Sequence, residues 1–166
     1  MTLSLYDASV PVFTQMLTAL SHNLDKAAAY AEQRKFDPAA LLGARLFPDM
    51  YPLTRQVQLA SDNSKGPAAR LAGVEAPRFA DTETSFAELK DRVARTLDFL
   101  AGLDRNAFTG VEDRDIKWMT GGRERVMNGR AYLFSQALPN FFFHVTMAYG
   151  ILRHNGLEVG KRDFLG

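Results

Sequence analysis

The sequence predicts an all-α protein, an up-down four-helix bundle with a small β-hairpin between helices 3 and 4. Three observations predict it. Apolar residues recur at three- and four-residue steps through four long stretches. The period falls to two in one short stretch around Ile116 and Trp118. Turn and stop signals such as Gly73, Gly121-Gly122 and Asn155-Gly156 separate the stretches.

The first helix carries Phe13, Met16, Leu17, Leu20, Leu24, Ala27 and Ala31 on one apolar stripe. Asp7 or Ser9 is placed to cap it, and Pro11 is tolerated because it falls in the first turn. Asp37-Pro38 then opens a short helical segment, Ala39 to Leu42. The second long helix is expected to begin near Asp49, with Leu53, Val57, Ala60, Ser64 and Leu71 inside. Gly66-Pro67 interrupts it, and proline removes a backbone donor and crowds the preceding turn. The periodicity resumes in register at Ala68, which predicts a kink rather than a break.

Gly73 to Pro77 reads as a connector. The third helix places Phe86, Leu89, Val93, Leu97 and Leu100 inside, and Ser85 with Glu88 has the spacing of a capping box. Leu103 to Asn106 ends it. Ile116 and Trp118 then alternate with polar residues, Thr120-Gly121-Gly122 makes a turn, and Val126 lies on the returning arm. Asn128 is the expected N-cap of a last helix running to about Arg153, with Asn155-Gly156 as a left-handed stop. The tail from Leu157 is expected to be irregular.

A chain of 166 residues suits one domain with a real core, here residues 1–166, and is short for two. Its 20 basic and 19 acidic residues nearly balance, and no basic stripe or basic amphipathic helix stands out. Nucleic acid and membrane are therefore not the expected partners. Cysteine is absent, which removes disulfides, thiolate metal sites and thiol nucleophiles together. Met1 to Asp7 lacks the basic and apolar regions of a signal peptide, so a cytoplasmic location is expected.

The chemistry-bearing stretch is Leu138-Pro139-Asn140-Phe141-Phe142-Phe143-His144. Asn140 and His144 stand one turn apart on one helical face, among enough apolar neighbours to be buried. Such a pair is either a ligand or proton-transfer site in the bundle cavity or a hydrogen-bonded core network. The other histidines carry less. His22 falls off the apolar stripe among polar residues, and His154 at a helix C-terminus is accounted for by the macrodipole. Asp49, Tyr51, Asp62 and Trp118 could line a pocket mouth, with simpler readings as N-cap, solvated helix residue and hairpin anchor for Asp49, Asp62 and Trp118. The three consecutive phenylalanines surround more than one side of their helix and need cover from the hairpin, the tail or a second subunit.

The element order, with Leu-Pro-x-x-x-x-His and Ile-Leu-Arg-His-x-Gly on the final helix, resembles the DinB-like (YfiT-like) superfamily. An uncharacterised domain-of-unknown-function branch is the nearer likeness. Ser4 to Pro11, Asp49 to Leu53, Leu138 to Phe141, Arg153 to Gly156 and Gly160-Lys161 carry it. Many DinB-like proteins hold a divalent transition metal with three histidines, one on the second helix and two, a turn apart, on the fourth. Some use it to activate a low-molecular-weight thiol. On that pattern His144 matches the second histidine of the pair, Asn140 stands at the first, and the second-helix position falls at or near Gln58. Amide oxygens are weak donors to such metals. The resemblance therefore implies a degenerate site of Gln58, Asn140 and His144, with no tightly bound metal, no cofactor and room for a small-molecule ligand. It also implies a homodimer. Two further readings remain open: a thiol-dependent transferase-like enzyme using His144 as base or sole imidazole ligand, and a dimeric protein-interaction module.

Overall fold

A computed structural model describes residues 4–166; the first three residues of the stretch read as lacking a leader lie outside it. The described chain is mostly helical with one antiparallel hairpin. Four long helices, α1 (Val10–Arg34), α3 (Leu53–Ala72), α4 (Phe86–Ala101) and α6 (Leu138–His154), are accompanied by short elements. The latter include α2 (Ala39–Leu42), a 3-10 turn (Arg105–Phe108), β1 (Asp115–Thr120), β2 (Arg123–Asn128), α5 (Gly129–Tyr132) and α7 (Lys161–Leu165). α3 packs between α6 and α4, while α1 packs on α4, α6 and α7. Among the described residues no helix is long and apolar enough to cross a membrane.

Every apolar residue assigned to the α1 stripe is buried. Phe13 meets Phe141 of α6 edge-to-face at 4.8 Å, the arrangement that places a ring's positive edge on its neighbour's negative face. The start of α1 differs from expectation. Ser9 is the N-cap residue by position, but its Oγ donates to the Leu5 carbonyl at 2.5 Å, and Asp7 bonds Ser4 instead of capping the helix. The helix relies on Pro11, whose missing N–H is one that has no intrahelical acceptor anyway.

α3 begins at Leu53, four residues after Asp49, because Pro52 takes the extended N-cap conformation and Asp49 plays no capping part. It continues as helix through Gly66-Pro67, and Pro67 is buried. α4 carries the expected capping box: Ser85 Oγ accepts from Glu88 N at 3.2 Å and the Glu88 carboxylate accepts from Ser85 N at 3.1 Å. Its inner face includes Arg92 and Thr96, with Leu97 only partly covered.

The hairpin turns at Gly121-Gly122, both at positive φ (55° and 73°), between the paired Thr120 and Arg123. Ile116 is buried and the Trp118 ring packs on Tyr132 at 4.9 Å, anchoring β1 to the helices. Arg114, just ahead of β1, donates to the carbonyls of Arg70 and Leu71, satisfying the open C-terminal end of α3.

Asn128 caps the final helical run as expected, accepting from Ala131 N at 2.8 Å. That run is not one regular helix. Leu133–Ala137 forms a widened π turn between α5 and α6. In a regular helix the Ser135 carbonyl would point at the ring of Pro139, which has no N–H to offer it, and the wider turn relieves that clash. The tail also departs from expectation. Residues Lys161–Leu165 form α7, started by Gly160 N donating to Asp163 at 2.8 Å and pinned to α1 through Asn23 and Lys26.

Candidate functional site

The seam between α3 and α6 brings together most of the polar side chains singled out on the last helix. His144 is buried, with 7% of its surface exposed, and its Nδ1 lies 2.8 Å from Gln56 Oε1. One and a fraction turns earlier on α6, Asn140 Nδ2 donates to Asn63 Oδ1 at 2.8 Å. The pairings ascend α3 while descending α6, so these two helices run antiparallel.

The hydrogen-bond pattern settles which His144 nitrogen carries the proton. Gln56 Nε2 donates to the Tyr51 carbonyl at 3.3 Å. A carbonyl only accepts, so the amide nitrogen must face it and Oε1 must face the imidazole. Nδ1 is therefore the donor, and in the neutral ring Nε2 keeps its lone pair. Among the described residues nothing hydrogen-bonds Nε2, and it is not among the buried polar atoms left without a partner, so it reaches solvent. Burial lowers the His144 pKa from its ordinary value, and the positive charge of Arg55 lowers it further. The result is a neutral imidazole with one nitrogen held and the other available as an acceptor.

Asn140 and Gln58 do not join that arrangement. Asn140 spends its amide on Asn63, whose own amide nitrogen donates to the Leu59 carbonyl at 2.9 Å. Gln58 is buried on the side of α3 that faces α4: its Nε2 donates to Glu83 at 2.9 Å and its Oε1 accepts from Arg55 at 3.1 Å. The structure thus separates Gln58 from His144 and supplies Gln56 and Asn63 in its place. Gln56 stands three residues after Leu53 and four before Ala60, and Asn63 three after Ala60, so the helical period contained the signal. Four surface clefts form elsewhere, and none of the four is lined by Gln58, Asn140 or His144.

The other flank of α3 holds a denser polar cluster. Arg92, fully buried on α4, donates to Glu83 at 2.9 Å, to Asp62 at 2.9 Å and to the Ala80 carbonyl at 3.1 Å. Asp81 lies 3.0 Å from the same guanidinium. Burial works against the Arg92 charge, but the bond to Glu83 and the charge of Asp62 outweigh it and raise its pKa. Asp62 is thus an ion-pair partner, bound also by Lys65 at 2.7 Å, rather than the solvated residue expected. Arg92 occupies the inner stripe of α4 beside Leu89, Val93 and Thr96, a charged residue among apolar ones that marks a paired buried charge.

His22 is exposed, as expected, and His154 is exposed at the end of α6. Of the aromatic run, Phe141 is buried, Phe142 half-buried and Phe143 51% exposed, its ring edge-on to His144 at 5.3 Å. Tyr51 is exposed, with the Arg55 guanidinium over its ring at 5.9 Å. Among the described residues no group of three or more His, Cys, Asp or Glu side chains is placed to hold a metal ion. At His144 the nearby amides are committed to each other, to the imidazole or to carbonyls, so no donor set converges on Nε2.

Comparison with known proteins agrees with this architecture. A family model described as a domain of unknown function, DUF1993, matches residues 5–165. The crystal structure of a DinB family member from Shewanella denitrificans is similar to the chain at 43% identity, with a TM-score of 0.91. The match covers 98% of this chain and 92% of that one. No curated protein matches. With nearly its whole length accounted for by that model and that structure, the chain belongs to the DUF1993 family, a DinB-like branch.

Proposed function

We propose that the four long helices form an up-down four-helix bundle whose central site works without a tightly held transition metal, as a binding point for a small protic molecule. The observation that carries this reading is the state of His144. Gln56 fixes the Nδ1–H tautomer, burial and Arg55 keep the ring neutral, and Nε2 presents a lone pair to solvent. Asn140 and Gln58, at or near the positions where the resemblance places the histidines of DinB-like metal sites, spend their amides on Asn63 and on Glu83 and Arg55. One imidazole with amides turned elsewhere is a poor set for nickel, zinc or iron, whereas a single fixed acceptor suits a ligand that donates an O–H, N–H or S–H.

The test has two arms, on protein purified without a polyhistidine tag. Metal analysis is expected to find no stoichiometric transition metal, and one equivalent lost on His144→Ala overturns the metal-free reading. Thermal-shift screening of small alcohols, phenols, amides and thiols is expected to find ligands whose shift vanishes in His144→Leu. A stable His144→Leu protein with no wild-type ligand response supports a purely structural seam instead.

The same lone pair favours one second reading, an enzyme resembling the thiol-dependent transferases, with Nε2 as general base. A neutral ring whose pKa lies below its ordinary value is in the right protonation state for that work near neutrality. Turnover of a thiol with an electrophile, abolished by His144→Gln without loss of folding, would distinguish catalysis from binding. The exposed Phe134 and Phe143 supply an apolar surface for a second copy, so a homodimer belongs to the proposal as well.

A further inference from the structure

The connector between α3 and α4 is held in an unusual way. Among the described residues, no backbone N–H from Glu75 to Glu83 donates a hydrogen bond to the protein. The segment has no helix or strand of its own. What fixes it is side chains. The Ala80 carbonyl, Asp81 and Glu83 all close on the Arg92 guanidinium. Glu83 also accepts from Gln58. The Phe79 ring is covered by three cations, Arg95 at 4.4 Å, Lys65 at 5.0 Å and Arg92 at 5.6 Å. Arg92 Nε is buried with no acceptor, so the guanidinium is not fully satisfied even in this state.

A second set of contacts links this connector to the seam. Arg55 pairs with Asp81 at 2.5 Å and lies over the ring of Tyr51. The Tyr51 carbonyl in turn holds Gln56, which holds His144. The chain of contacts is continuous from Arg92 to the imidazole.

We propose that the segment from Phe79 to Glu83 is a latch closed on the buried Arg92 guanidinium, and that Arg55, shared between Asp81 and Tyr51, ties the latch to the residues that position His144. A segment anchored by side chains rather than by a backbone ladder opens locally at less cost than the helices beneath it. Opening presents Arg92 and Gln58 to solvent and takes from Arg55 the carboxylate that holds it over Tyr51. The device stands apart from ligand binding at His144, and its readouts need no ligand.

Limited proteolysis of the full-length protein tests the latch. In Arg92→Met, cleavage between residues 78 and 84 is expected to be about tenfold faster or more, while α1 and α6 are cut no faster than before. Equal acceleration in α1 and α6, or no change in the connector, overturns the latch. Should Arg92→Met fail to fold, Asp81→Asn gives the same reading with one anchor removed. The tie through Arg55 is read by NMR at the Tyr51 ring and the Gln56 side-chain amide. Asp81→Asn is expected to shift both resonances in the direction that Arg55→Met shifts them, and to add nothing on the Arg55→Met background. Shifts that persist in full on that background, or their absence in Asp81→Asn, overturn the tie.

Discussion

His144 has one nitrogen committed to Gln56 and a ring too buried to take up a proton readily. The folded protein therefore binds a proton at this site less tightly than the unfolded chain does. With a folded pKa lowered from 6.5, the stability that follows is complete above that ordinary value and is lost as pH falls below it toward the folded pKa. Urea denaturation between about pH 5 and pH 8 should show this acid-side loss, and His144→Gln should flatten that part of the profile. Arg92 makes the opposite prediction in kind, a loss that comes from abandoning partners rather than from titration. Truncating it leaves Glu83 and Asp62 facing an empty buried site, and Arg92→Ala should cost about 3–5 kcal/mol in chemical denaturation. That residue was readable as anomalous on its stripe, but its partners come from α3 and the connector, and no periodicity within α4 reveals them.

At the scale of elements, two backbone positions separate strain from necessity. Lys35 ends α1 at φ 56°, in the left-handed region that costs a side-chain-bearing residue about 1–2 kcal/mol. Lys35→Gly should therefore raise stability by about 0.5–1 kcal/mol once glycine's entropy is counted. Gly129 is the reverse case. A Cβ there would fall 2.0 Å from the Val111 carbonyl, so Gly129→Ala should destabilise by about 1–3 kcal/mol through displaced backbone. The same division shows what the sequence made legible. The α1 stripe, the Ser85 capping box, the Gly121-Gly122 turn and the Asn128 cap rest on local chemistry and were readable. The π turn at Leu133–Ala137 and the helical tail were not. The first answers a clash that becomes visible only when Pro139 is built into a helix. The second depends on α1 for its anchors, Asn23 and Lys26.

Across the whole molecule, one contiguous hydrophobic cluster is shared by α1, α3, α4 and α6, and it leaves polar chemistry on both flanks of α3. That placement explains why the candidate site was half legible. Asn140 and His144 share a face of α6 by their spacing, whereas the choice between Gln56 and Gln58 depends on which flank of α3 meets α6. A helix packed on two sides buries both residues, so burial cannot choose between them. The proposed dimer belongs to this scale too. Light scattering should report two copies, and Phe143→Glu should return one copy with its helical content intact, since the side chain is exposed and no core contact is lost.

The account turns on the protonation of one ring, and the most direct measurement is a two-bond proton–nitrogen correlation spectrum of ¹⁵N-histidine-labelled, tag-free protein at neutral pH. The spectrum should place His144 as a neutral imidazole with a pyrrole-type Nδ1 and a pyridine-type Nε2, unchanged by one equivalent of nickel or zinc. A protonated ring, an Nε2–H tautomer, or an Nε2 resonance displaced by stoichiometric metal would contradict it.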